Sequence, residues 1–166
     1  MFYAILAVAL VILDQIVKFL VRTNIPLGTS IPFIPCIMDL TYVQNTGAAF
    51  SILNRHTWLL TLASAVVVLV IAWLVVKGRL RGRLGLWSAA LILAGGVGNL
   101  IDRAAFGFVT DMFQTTFMNF AVFNVADCCI TIGVPLLFLY VMLYVGKDEK
   151  KEGEGDGAGQ LPPDGQ

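Results

Sequence analysis

Two aspartates carry most of the chemistry this chain can offer: Asp111 in GFVTD and Asp127 in FNVAD, sixteen positions apart. Taken singly, each has an ordinary explanation. Asp111 lies between Phe108 and Phe113 with no basic neighbour, as a solvated loop acid would. Asp127 falls near the start of an apolar helix, where the helix dipole favours a carboxylate. Together they allow more. If the segment carrying Asp111 folds back over the helix that Asp127 opens, the two carboxyls meet at a membrane–water interface. Like charges in a low-dielectric pocket cannot both ionise, so such a pair shares one proton. The ionised partner then takes a proton from water while the protonated one donates to a scissile carbonyl oxygen. That is aspartic-peptidase chemistry, and it requires neither His, Ser nor metal. Asn124, three residues before Asp127 and on the same helical face, is placed to orient the pair or a substrate backbone.

Other reactive side chains offer less. The sole histidine, His56, sits beside Arg55 in a loop, too little for a zinc site or a Ser-His-Asp triad. Cys36, Cys128 and Cys129 lack metal-ligand spacing and read as small membrane-buried thiols. A Ser/Lys peptidase would use Lys18 as base, but Ser51 is the one serine near the right depth and nothing ties it to Lys18. In DQIVK, Asp14 and Lys18 stand four apart with the acid first, a favourable pair on one helical face. Such a pair locks its helix against neighbours, and it also leaves Asp14 open as a site residue. In LAGGVGNLIDR, Ala94 and Gly98 form a small-xxx-small pair that Gly95 and Gly96 thin further. Asn99, Asp102 and Arg103 follow within about one turn, more polarity than headgroup anchoring requires, which points to function.

The elements that must position these groups are membrane spans. Of the 166 residues 58% are hydrophobic and only 13% charged, where a soluble domain carries about a quarter. Four apolar runs reach the roughly 20 residues a span needs: about 2–21, 58–76, 84–101 and 122–145, within one domain over 1–146. The first run has no basic n-region, is too long for an h-region and holds Asp14 and Lys18, so it reads as a retained span rather than a signal peptide. KGRLRGR, Lys77 to Arg83, packs four basic residues into seven positions. By the positive-inside rule this link is cytoplasmic, with both termini. The acids of the spans then fall in or just above the outer half of the bilayer, Asp127 roughly 8 Å and Asp14 roughly 12 Å from the outer edge. Met38 to Gln44 alternates as a strand does, predicting a small outer sheet. Residues 147–166, with six acids and three Lys and no apolar periodicity, read as a disordered acidic tail.

A proton-coupled transporter that relays through Asp14, Asp102 and Asp127 is a second class, although the inner halves of spans two to four offer almost no polar group to continue the path. A non-catalytic scaffold, its polar residues merely joining helices, is a third.

LDQIVK, QNTGAAFS, GNLIDR, GFVTD and FNVAD occur in this order across the four spans. In these motifs the chain resembles lipoprotein signal peptidase (signal peptidase II), a bacterial membrane enzyme family that removes signal peptides from prolipoproteins. The resemblance implies an all-α membrane protein of four transmembrane helices with a small extracytoplasmic β-sheet and an amphipathic segment. It implies that Asp111 and Asp127 are the catalytic pair. Asn45, Gly95, Asn99, Arg103 and Asn124 would line the substrate groove, and Asp14, Lys18 and Asp102 would hold the site together. The implied substrate is a prolipoprotein whose cysteine already carries diacylglycerol, cut on the N-terminal side of that cysteine. The implied setting is the bacterial cytoplasmic membrane, as a monomer among lipids, with no metal, cofactor or nucleic acid. One departure stands out: Met112 follows the first Asp where the family more often has an aromatic, a bulk that Phe113 supplies.

Overall fold

The computed structural model describes residues 1–47 and 57–145. Ser51, Arg55, His56, the end of the QNTGAAFS motif and the acidic tail lie outside the described residues. Four helices dominate: α1 (Phe2–Asn24), α2 (Thr57–Val76), α3 (Gly82–Phe106) and α4 (Val125–Tyr140), the last running into a π-helical turn at Val141–Val145. Each, with that turn counted into α4, is long and apolar enough to cross a membrane by length and composition. Three strands, β1 (Ser30–Ile34), β2 (Met38–Asn45) and β3 (Val109–Thr115), form one antiparallel sheet in the order β1-β2-β3. No separate amphipathic segment stands among the described residues.

Burial is inverted relative to a soluble bundle. Helix α1 exposes Phe2, Ile5, Ile12, Ile16 and Phe19 while burying Asp14 and Lys18. Helix α2 exposes Trp58, Leu62, Val66, Leu69 and Trp73. Apolar side chains face outward because hydrocarbon solvates them, and charges turn inward to find partners.

Helix α3 is the central post, and its small residues set the packing. A Cβ at Gly98 would fall 2.6 Å from Asp14 Oδ2 and 3.2 Å from Ala126 Cβ, and one at Gly95 would run into the Ala126 carbonyl. Glycine there lets α1 and α4 close on α3 at backbone distance. At the end away from the sheet, Tyr140 packs with Ile71, Leu80, Ala89 and Ile92. Its hydroxyl donates to the Arg79 carbonyl (3.0 Å) and accepts from the Arg81 N–H (3.1 Å), tying α4 to the basic link.

Helix α3 also runs past Ile101, where its apolar run stops, to Phe106. Asp102 and Arg103 do not end it, because Asp102 is fully buried and finds partners on α1 and β3. The helix stops at Gly107, whose φ of 78° breaks the repeat while its N–H still bonds the Arg103 carbonyl.

In the sheet, β1 pairs on one side only and carries Pro32, as an edge strand can. Tyr42 and Met112 pack with Val21 of α1 and with Ile25 just past its end in a second core. The decisive link is Phe123. Its carbonyl accepts from the Met112 and Phe113 N–H groups (3.0 and 2.8 Å) and its own N–H donates to the Phe113 carbonyl (3.1 Å). This single bridge fastens the residue before Asn124 to β3, so the link from β3 folds back over the start of α4.

Candidate active site

The Phe123 bridge leaves Asn124 facing both the sheet and the helix it opens. Its Oδ1 accepts from the Asp127 N–H (2.9 Å) while its own N–H donates to Asp127 Oδ2 (3.2 Å), a reciprocal capping box. Its Nδ2 donates to Asp111 Oδ1 (2.7 Å) and to Asn99 Oδ1 (3.1 Å). Every polar atom of this fully buried side chain is thereby committed. Asn99 Oδ1 also accepts from Lys18 Nζ (3.0 Å), which turns Asn99 Nδ2 onto Asp127 Oδ1 (2.8 Å). Asn45 Oδ1 accepts from the Gly47 N–H (2.9 Å), which turns Asn45 Nδ2 onto Asp111 Oδ2 (2.9 Å). Each of the four carboxyl oxygens thus accepts one hydrogen bond from a donor whose own orientation is fixed.

Asp111 and Asp127 border one cleft of about 510 Å³, with Asn45, Asn99 and Arg103 beside them. Phe120, Phe123, Ile130 and Ile132 make most of the remaining wall apolar. Burial, and secondly the Asp127 charge, push the Asp111 carboxyl up to about 6, against the pull of its Asn45 and Asn124 donors. Arg103 Nη1 lies 3.5 Å from Ser64 Oγ of α2, and its buried Nε has no acceptor among the described residues. A guanidinium held with one donor uncommitted suits a substrate carbonyl or lipid oxygen.

Behind the cleft lies a buried ionic layer. Lys18 Nζ stands 2.9 Å from Asp14 and 3.5 Å from Asp102, all three almost wholly buried. Asp14 Oδ1 accepts from the Ala126 N–H (2.9 Å), in the first turn of α4. Asp102 Oδ2 accepts from the Thr110 N–H (2.9 Å), next to Asp111 on β3. Arg22 adds a hydrogen bond to Thr110 Oγ1 (2.9 Å) and approaches Asp102 at 3.6 Å. One lysine therefore joins two acids, each of which grips the backbone of a segment that carries a cleft aspartate.

Two residues expected at the groove stand elsewhere. Gly95 is packed between α3 and α4 against Ala126 and Ile130, where no side chain fits. Asn124 is buried behind both aspartates, not on the cleft wall. Three contributors have no clear mark in the sequence. Phe123 acts through its backbone. Ser64 is one small residue in an apolar helix. Gln15 reaches the Gly98 carbonyl (3.1 Å) and Asp102 (3.3 Å) from within LDQIVK, its amide hidden between the two charges that draw the eye.

Residues 6–143 match the family model described as signal peptidase (SPase) II. The chain belongs to the signal peptidase II family. Its relatives in that family include the lipoprotein signal peptidase of Lactiplantibacillus plantarum, 41% identical over 154 residues that cover 90% of this chain and 97% of the relative. That of Enterococcus faecalis is 40% identical, covering 92% of each chain. That of Streptococcus pneumoniae is 43% identical over 139 residues, covering 84% and 91%. Two bacterial membrane enzymes solved by the in meso method share the fold. One has a TM-score of 0.79 at 26% identity, over 99% of this chain and 94% of the other. The second has a TM-score of 0.74 at 28% identity, over 86% and 93%. As a signal peptidase II relative with four apolar helices, the chain is a multi-pass membrane peptidase.

Proposed function

We propose that this chain is a membrane aspartic endopeptidase that removes signal peptides from diacylglyceryl-modified prolipoproteins, cutting on the N-terminal side of the lipidated cysteine. The observation that carries this reading is that Asp111 and Asp127, brought by different elements, border one cleft and are joined through Asn124. Relatives named lipoprotein signal peptidase support the substrate class.

In the mechanism, Asp111 is the proton donor and Asp127 the base. Burial beside a second acid favours a protonated Asp111, which leaves the part of the base to Asp127. Asp127 takes a proton from a water in the cleft as that water attacks the scissile carbonyl. Asp111 gives its proton to the carbonyl oxygen; as the C–N bond then breaks, the departing amine takes the proton held by Asp127 and a hydroxyl of the tetrahedral diol returns one to Asp111. Asn99, Asn124 and Asn45 hold the carboxyl oxygens in place. Arg103 orients the substrate backbone or lipid ester. Lys77, Arg79, Arg81 and Arg83 keep the α2–α3 link cytoplasmic, with both termini and the acidic tail, so that the cleft opens on the extracytoplasmic side. A monomer suffices for this chemistry, since one chain supplies both carboxyls.

A gel-shift cleavage assay in detergent tests this function. Lipidated prolipoprotein is expected to be cut and its unlipidated form to be left intact; cutting of neither would refute the proposal.

The proton assignment has a pH signature. On the alkaline side, kcat/KM is expected to fall with an apparent pKa of about 6, as Asp111 loses its proton. Asn45→Ala removes a donor that favours the ionised form. The limb should therefore move upward, by about one pH unit for a charge-assisted bond of this kind. A downward or absent shift in the pH–rate profile would contradict the assignment. The sign for stability is the same. Asp111 titrates higher in the folded chain than its ordinary 3.8, so its contribution is whole below that value and is lost as pH rises through about 6.

A further inference from the structure

Three cations stand at the sheet end of the bundle among the described residues: Lys18, Arg22 and Arg103. Two of them have acids at hand. Lys18 Nζ lies 2.9 Å from Asp14 and 3.5 Å from Asp102, and Arg22 lies 3.6 Å from Asp102. Arg103 forms no ion pair among the described residues. It is half-buried, and its one hydrogen bond there is the long contact with Ser64 Oγ (3.5 Å).

The cleft aspartates do not supply the missing partner. Asp111 accepts from Asn45 and Asn124, and Asp127 from Asn99 and the Asn124 N–H, so all four carboxyl oxygens are turned to other donors. Arg103 nevertheless borders the same cleft. It follows Asn99 by four residues on α3, about one helical turn from the side chain that holds Asp127. A guanidinium partly withdrawn from water with no paired anion is unfavourable, and an anion entering the cleft relieves it.

Hydrolysis makes such an anion in the cleft itself. When the C–N bond breaks, the acyl half leaves as a carboxylic acid and the other half as an amine. The acid then passes its proton to the amine, because a terminal carboxyl titrates at about 3.5 and an α-amino group at about 8. The signal-peptide half therefore ends in a carboxylate, formed beside Asp111 and Asp127. Arginine's planar fork matches both oxygens of a carboxylate.

We infer that Arg103 binds the new C-terminal carboxylate of the cleaved signal peptide, so that this product is retained by its charged end. The inference rests on the reading of the cleft as a signal-peptidase active site, and it adds the fate of the acyl half. Bound in this way, the product competes with the next substrate for the cleft. The carboxyl pair, which is negatively charged again at the end of the cycle, opposes the hold.

The test compares two synthetic signal peptides that end at the residue before the cleaved cysteine, one in a carboxylate and the other in an amide. Each carries a fluorophore at its N-terminus, and fluorescence anisotropy reads its affinity for the purified chain in a neutral detergent at neutral pH. The carboxylate form is expected to bind wild type about tenfold tighter, as a charge-assisted hydrogen bond would give. Arg103→Gln should abolish the preference. The Asp111→Asn, Asp127→Asn double variant should widen it by removing the opposing charge. Equal affinities for wild type would overturn the inference, and that comparison needs no variant to fold. So would a preference that survives Arg103→Gln, or one that the double variant leaves unchanged. Cleavage of lipidated prolipoprotein without the preference would sink this inference alone, and the preference without cleavage would sink the proposed function alone.

Discussion

Asp127→Asn is expected to yield an inserted, folded protein that cuts lipidated prolipoprotein about 10³-fold more slowly or worse. The fold should survive because little else changes. Asparagine keeps the shape and one acceptor, so it can serve either the Asn124 N–H or Asn99 Nδ2, but not both. One hydrogen bond is lost, about 1 kcal/mol, while the base disappears entirely. Asp111→Asn is expected to behave alike, with the lost bond falling on Asn45 or Asn124. Size-exclusion profiles and cleavage rates of the purified variants check both halves. A misfolded Asp127→Asn protein would contradict the structural half, and near-normal cleavage the chemical half.

The second large effect concerns stability. Lys18→Met strips the cation from Asp14 and Asp102, leaving two fully buried carboxyls against each other. Breaking a buried ion pair by removing one partner costs about 3–5 kcal/mol, and here two acids lose the same partner. The yield of monodisperse protein should collapse. Arg22→Gln is the contrast. Arg22 stands 3.6 Å from Asp102, past hydrogen-bond distance, and Asp102 keeps Lys18 and the Thr110 N–H without it, so its loss should cost less than that of Lys18. Equal yields for the two variants, measured by size exclusion after extraction, would show that the ionic layer does not hold the bundle. Asp14→Asn belongs to the same group: it is expected to lower yield more than turnover per folded molecule, since Asp14 grips the Ala126 N–H from behind the cleft.

What the sequence could tell depended on how local each signal was. Apolar runs mark helices because a span satisfies its own backbone, and the alternation from Met38 marks β2, from which Leu40 and Tyr42 pack on the second core. Strand β1 is masked by Pro32 and by exposure on both faces, and β3 by the polar residues it delivers to the site. Helix α3 continues past the apolar run that stops at Ile101, because Asp102 and Arg103 find partners on α1, α2 and β3 that no local pattern shows. In the site, the spacing of Asp14 and Lys18 announces their pairing, since four residues is one helical turn. The meeting of Asp111 and Asp127 is different. It depends on the Phe123 backbone bridge, which no side-chain pattern records, so composition alone leaves two unrelated acids. The family resemblance puts Gly95 and Asn124 at the groove; the small-residue pattern already reads Gly95 as a helix spacer, whereas only packing shows Asn124 standing behind the carboxyls.

The most direct measurement is the cleavage rate of lipidated prolipoprotein by Asp111→Asn, Asp127→Asn and the double variant, side by side with the unaltered chain. Groups that act as a unit are not additive, so the double variant should be no slower than either single one, all three close to background. Effects that multiply would mean the two carboxyls act separately, and a single variant that cuts at the normal rate would remove that residue from the chemistry.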